Sequence, residues 1–254
     1  MRSDTGDFRP MSDTDLIRHV DHVFVINLDR RRDRLEDFYE RLPFRAEGYV
    51  ERFPAVDGQT LDPTPEILHL FRDNRFDYRR GIIGCALSHY RLWRLIAADA
   101  YPHRTTAIFE DDVIFADCFP YLWNRQASIF FPRKYDLVYI GGLPVSGDSV
   151  ELLERYRGNL DLDRDVYIEG MVNPFFGIPK DRNFCTFSYV ISKSGAMALC
   201  RHVETEGIQV AVDHHMRDCW RGLEVYATVP LFCWGILNYS TDIQYDEATL
   251  LDGG

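Results

Sequence analysis

The chain has 254 residues, enough for one large or two small cored domains, and at 46% hydrophobic and 27% charged it has the composition of an ordinary soluble globular protein. Its 29 basic and 40 acidic residues leave a formal charge of −11, which argues against nucleic acid or an anionic membrane surface as general partners. The six cysteines form no C-x-x-C pair, so zinc-ribbon and thioredoxin-like readings fail. Most of them sit in apolar stretches, as buried free thiols of a reducing compartment do. No apolar run approaches the ~18–20 residues that span a bilayer, and residues 1–21 lack a secretory hydrophobic segment, so a cytoplasmic location is expected.

In chain order, 1–20 reads as a disordered or loosely attached lead. Residues 22–28 (HVFVINL) are a β-rich, mainly apolar run, the pattern of a strand buried on both faces. They empty into Asp29-Arg30-Arg31-Arg32-Asp33-Arg34 and a helix over 33–42. Helix N-terminal amides and guanidinium forks together make an anion site, with a solvated basic helix start as the alternative. No glycine fingerprint follows the strand, which argues against a Rossmann dinucleotide site. A second strand within 52–58 ends at Asp57-Gly58, a strong turn signal, and the first strand, helix and second strand make a βαβ unit. Asp57 either contacts a nucleoside or shapes the turn. Asp62-Pro63-Thr64-Pro65 caps a short helix.

The clearest helix is 81–97, with Ile82, Ala86, His89, Trp93 and Ile96 on one stripe. His89 on that stripe reads first as a core histidine satisfied by a hydrogen bond. Gly81 and Gly84 let the helix start approach another backbone or a ligand. Residues 105–109 form the next strand and deliver Glu110-Asp111-Asp112. Strands are also expected over 135–142, 185–192 and 223–229, and helices over 193–203 and from about Asp213, where aspartate is also a favoured N-cap. Residues 143–183 are expected to be partly ordered and partly a mobile flap over a site, and 250–254 a loose tail.

The three adjacent acids carry the chemistry. A buried strand does not hold three carboxylates without pairing or metal, so they belong at its exposed carboxyl end, where open α/β sheets bind ligands. Oxygen-only donors suit a hard divalent cation such as Mg²⁺ or Mn²⁺. Alternation turns Glu110 and Asp112 to one side and Asp111 to the other. A solvated acidic turn is the bland alternative.

Five stretches in order, Ile26–Arg34, 55–58, 81–89, 108–113 and 212–214, together resemble glycosyltransferase family 25, the lipopolysaccharide and procollagen galactosyltransferase-like family; Ser240-Thr241-Asp242-Ile243 resembles its C-terminal segment. The resemblance covers about 20–245. It implies a GT-A-type α/β fold, a mixed central sheet flanked by helices, in one domain over 21–245, with a donor half near 21–140, an acceptor half near 141–245 and a tail over 246–254. It also implies a UDP-sugar donor, most often UDP-galactose, inversion at the anomeric carbon, and a glycan, lipid-linked glycan or collagen-like hydroxylysine acceptor. Glu110-Asp111-Asp112 stands where the family has its D-x-D metal motif, with Glu in place of the first Asp. Asp112 is then the first choice for direct ligation of Mn²⁺ or Mg²⁺, with Glu110 beside it and His215 as a third ligand. Asn27, Leu28, Arg30, Arg34, Asp57, Gly84, Ser88, Glu110 and Asp111 are expected on the donor side, with Arg32 an alternative cation. Asp213 is the expected general base. Two other readings of the same residues are a metal-dependent phosphohydrolase or nucleotidyltransferase, and a non-catalytic glycan-binding module.

Overall fold

Strands that are apolar at successive positions need cover on both faces, and in the computed structural model they have it. The described residues are 17–116, 118–119, 121–142, 164–180, 185–235 and 248–251. β1 (His22–Asn27) lies between β2 (Val50–Pro54) and, further along the chain, β3 (Thr105–Glu110), and is parallel to both. The first crossover carries α1 (Arg32–Arg41); the second carries α2 (Pro65–Leu70) and the long α3 (Arg80–Ala97). Past β3 come β4 (Val113–Phe115), α4 (Tyr121–Arg125), β5 (Leu137–Tyr139), β6 (Ile168–Asn173), β7 (Phe176–Pro179) and β8 (Ser188–Ser192). The chain continues through α5 (Lys193–Glu206), α6 (Val212–Asp218), β9 (Val225–Thr228) and β10 (Cys233–Gly235).

Eight strands form one sheet in the order β2-β1-β3-β8-β5-β9-β7-β6, and β4 pairs with β10 in a separate ribbon. β8 is antiparallel to β3 and β5, so the sheet is mixed. Alternation divides the core in two. Phe24, Ile26, Ile108, Tyr189 and Ile191 face α3, α5 and α6, while Val23, Val25, Ala107, Phe109 and Val190 pack with Phe38 of α1, Phe119, Trp123 and Phe232. The expected mixed sheet flanked by helices is therefore the architecture found.

Several elements differ in detail from the sequence reading. The strand expected over 185–192 starts only at Ser188, and that over 135–142 is confined to Leu137–Tyr139. Asp136 is a turn anchor: its Oδ1 accepts from Ser194 Oγ (2.7 Å) and its Oδ2 from Glu224 N–H (3.0 Å). From the stretch expected as a flap, β6 and β7 form a hairpin at the sheet edge; 143–163 and 181–184 lie outside the described residues, as do 1–16 and Ser240-Thr241-Asp242-Ile243. Ile17 and Val20 at the end of the expected lead are buried. The expected loose tail is tied down where it is described. Arg80 N–H donates to the Ala248 carbonyl (3.0 Å), Leu250 N–H to that of Tyr78 (2.9 Å), and the Leu250 side chain is buried. No helix among the described residues is long and apolar enough to cross a membrane.

Candidate active site

The carboxyl ends of the parallel strands β1, β2 and β3 meet the start of α3, and a cleft of ≈ 690 Å³, mouth included, opens there. Asn27, Leu28, Arg30 and Arg34 line it from β1 and its following turn and helix, Asp57 and Gly58 from the turn after β2, Gly81, Ser88 and His89 from α3, and Glu110, Asp111 and Asp112 from the end of β3. All the residues expected on the donor side except Gly84, and except the alternative cation Arg32, line this one cleft. Gly84 sits just behind it: a Cβ there would lie 2.7 Å from both Gly58 N and the Val56 carbonyl oxygen. Ser88 fastens the same junction, accepting from Val56 N–H (2.8 Å) and donating to the Gly84 carbonyl (2.7 Å). Both positions thus hold α3 against the turn that presents Asp57, and Asp57 in turn pairs with Arg30 (2.8 Å).

The three acids are held in three ways. Glu110, the last residue of β3, shares the sheet face of Ile108 and meets α3. Its Oε1 lies 3.2 Å from His89 Nε2 and accepts from Thr186 Oγ1 (2.6 Å). Burial pushes this carboxyl up, but the bonds from His89 and Thr186 and the charges of His89 and Arg34 outweigh it, so it lies below its ordinary value. Asp111 is 5% exposed and turned the other way. It pairs with Arg34 and accepts from Asn27 Nδ2 (2.6 Å). Burial raises its carboxyl against both of these partners. Asp112 is half-buried, 2.9 Å from the same guanidinium. Burial, then the charge of Glu110, raises it to about 7 in spite of Arg34. His89 is fully buried, as a core histidine, with Nδ1 2.9 Å from the Tyr189 hydroxyl, and it also touches the acid cluster through Glu110.

Asp213 and His215 part company. Helix α6 begins at Val212 with Ala211 as its N-cap, so Asp213 lies in the first turn and is not the cap. It does not line the cleft, and its charge, with those of Glu110 and Asp112, adds to burial in raising the thiols of Cys85 and Cys185. Residues two apart point about 200° apart around a helix. His215 accordingly turns into the core, 3% exposed, with its ring 4.9 Å from that of His202. The structure does not bring it to the cleft, so the three-ligand set with Asp112 and Glu110 does not assemble.

Sequence reasoning missed Thr186, which no local pattern marks. It reaches Glu110 because β8 runs antiparallel beside β3, with Glu110 N–H donating to the Phe187 carbonyl (3.0 Å). It also missed Cys85 and Gln59, which line the cleft, and Arg52, which donates to Asn27 Oδ1 (2.9 Å) and so fixes the amide that holds Asp111. No local pattern in β2 (VERFP) marks Arg52 either.

A family model described as Glycosyltransferase family 25 (LPS biosynthesis protein) matches residues 20–216. The chain belongs to glycosyltransferase family 25. Among its relatives, a Glycosyltransferase 25 family member of Drosophila pseudoobscura pseudoobscura is 28% identical over 91% of this chain and 37% of its own length. Procollagen galactosyltransferase 2 of Homo sapiens is 29% identical over 70% of this chain and 27% of its own. Inactive glycosyltransferase 25 family member 3 of Mus musculus is 26% identical over 89% and 38%. The chain therefore spans 27–38% of the length of these family 25 proteins. Of solved structures, 4-diphosphocytidyl-2C-methyl-D-erythritolsynthase from Anaerococcus prevotii DSM 20548 matches with a TM-score of 0.39 and 13% identity over 91% of this chain and 80% of that one, a likeness on which nothing below rests.

Proposed function

We propose that this chain is a metal-dependent inverting hexosyltransferase that moves galactose or glucose from a UDP-sugar to a hydroxyl of a glycan, a lipid-linked glycan or a collagen-like hydroxylysine acceptor. The observation that carries the reading is the placement of the acid cluster, in a family 25 chain, at the carboxyl ends of three parallel strands with two arginines lining the same cleft. Ligands of open α/β sheets bind at such an edge, and guanidinium groups suit a diphosphate.

The residues fit a hard divalent cation, Mn²⁺ or Mg²⁺. Asp112 and Glu110 offer oxygen donors, and Asp112 rises to about 7 because its cationic partner Arg34, shared with Asp111, does not offset burial and the neighbouring carboxylate. Both hydrogen bonds described on Glu110 fall on Oε1, which leaves Oε2 for a ligand. When bound, such an ion neutralises charge on the leaving diphosphate. Arg30 and Arg34 contribute positive charge on the nucleotide side, and Arg34 fixes Asp111 and Asp112 to α1. Asp111, with Asn27, positions the loop and does not itself ligate. The Asp213 carboxylate accepts the proton of the acceptor hydroxyl as that oxygen attacks the anomeric carbon. Such a base contributes about 10²–10⁴-fold.

A non-catalytic glycan-binding role is the second reading, favoured by the relative named inactive. A donor screen separates the readings. UDP release from a panel of nucleotide sugars, with Mn²⁺ present and absent, is expected for one UDP-hexose only when the ion and an acceptor are supplied. Release of inorganic phosphate or pyrophosphate instead would indicate a phosphohydrolase or nucleotidyltransferase, and no release from any donor would leave the binding role.

A further inference from the structure

On the helical side of the sheet, away from the cleft lining, a second group of ligand-type side chains converges. A ring nitrogen of His202 (α5), a ring nitrogen of His215 (α6) and Sγ of Cys219 at the end of α6 all lie within 4.8 Å of one another. His215 and Cys219 are four apart, one helical turn, so one face of α6 presents both across to α5. His202 Nδ1 and His215 Nε2 are buried and have no hydrogen-bond partner among the described residues. Buried imidazole nitrogens almost always find one, so two orphans in neighbouring rings require an explanation. The two rings meet edge-on, at 85°, and do not stack face to face.

We propose that His202, His215 and Cys219 bind a Zn²⁺ ion that staples α6 to α5. Two imidazoles and one thiolate are a zinc donor set, with water in the fourth position. The Cys219 thiol gives its proton to solvent as the sulfur–metal bond forms, and no redox partner is needed. A helix of seven residues has little stability of its own. The ion would fix the segment that carries Asp213, whatever reaction that residue serves.

The test uses the whole chain, freed of metal with a chelator and titrated with Co²⁺ as a spectroscopic substitute for Zn²⁺. A thiolate-to-cobalt absorption band is expected to saturate at one ion per chain, to be displaced by Zn²⁺ and to resist Mg²⁺. The cleft holds its own Cys85–His89–Glu110 group, so Cys85→Ser is the control. The band is expected to persist in Cys85→Ser and to vanish in Cys219→Ser, with unchanged circular dichroism. In the unmodified chain, Zn²⁺ at a hundred times its dissociation constant should raise Tm by about 5 °C or more, and His202→Asn should abolish most of that rise. Absence of the band from the unmodified chain, or a band that survives Cys219→Ser and disappears with Cys85→Ser, overturns the proposal.

Discussion

Replacing Arg34 by methionine keeps most of the side chain's volume and removes its charge. Arg34 is 9% exposed and pairs with Asp111, itself 7% exposed by side chain, and with Asp112 at 2.9 Å. Removing one partner of a buried ion pair leaves a desolvated charge behind and costs about 3–5 kcal/mol. For a chain of this size that corresponds to a fall in Tm of roughly 6–20 °C. The assay is urea unfolding of Arg34→Met, Asp111→Asn and the double variant. Neutralising Asp111 in the Arg34→Met background removes the stranded charge, so the double variant should regain about 1–2 kcal/mol, within the range of coupling between contacting residues. An Arg34→Met chain within about 1 kcal/mol of the parent, or strictly additive single effects, would refute the view that this pair anchors the acid loop.

Asp112→Asn relieves repulsion with Glu110, so it should leave stability unchanged or higher while abolishing Mn²⁺-dependent UDP binding; calorimetry showing the parent's affinity would remove Asp112 as a ligand. Asp213→Asn should lower turnover by about 10²–10⁴-fold with donor affinity unchanged, measured as UDP release at saturating donor and acceptor. Gly84→Ala forces a methyl to 2.7 Å from two backbone atoms of the neighbouring turn and should cost about 1–3 kcal/mol, read from denaturant midpoints. His22 is lowered by burial and then by the charge of His103, while Glu51 raises it. Below pH 6.5 the unfolded chain therefore binds more protons at this site than the folded one, so stability falls with pH there; His22→Gln should flatten that slope in thermal melts between pH 7 and 5.

Much of this site was legible because it is local. Asp57-Gly58 announces its turn, the β-rich run 22–28 announces a strand with two covered faces, and three acids directly after an apolar strand can only emerge at its end. The division of labour among those acids was not legible. Asp111 and Asp112 are adjacent, chemically identical and both paired with Arg34, yet Asn27 adds a bond to the first, which is the less exposed, while burial and Glu110 raise the second to about 7. That depends on where α1 returns over β3, a contact between residues more than seventy positions apart.

The same distinction explains His215 and Thr186. Helical periodicity alone separates Asp213 from His215 by over half a turn, but only packing of α6 on α5 shows that it is His215 that meets His202. Thr186 reaches Glu110 through an antiparallel neighbour strand that no sequence spacing fixes. Hydrophobic period and turn chemistry act over a few residues, so the parallel strands β1, β2 and β3, the acids that end β3 and the basic turn after β1 could be read from the chain alone. Partner choice for each charged group was decided by tertiary structure, because the energy of a buried charge depends on what surrounds it in space.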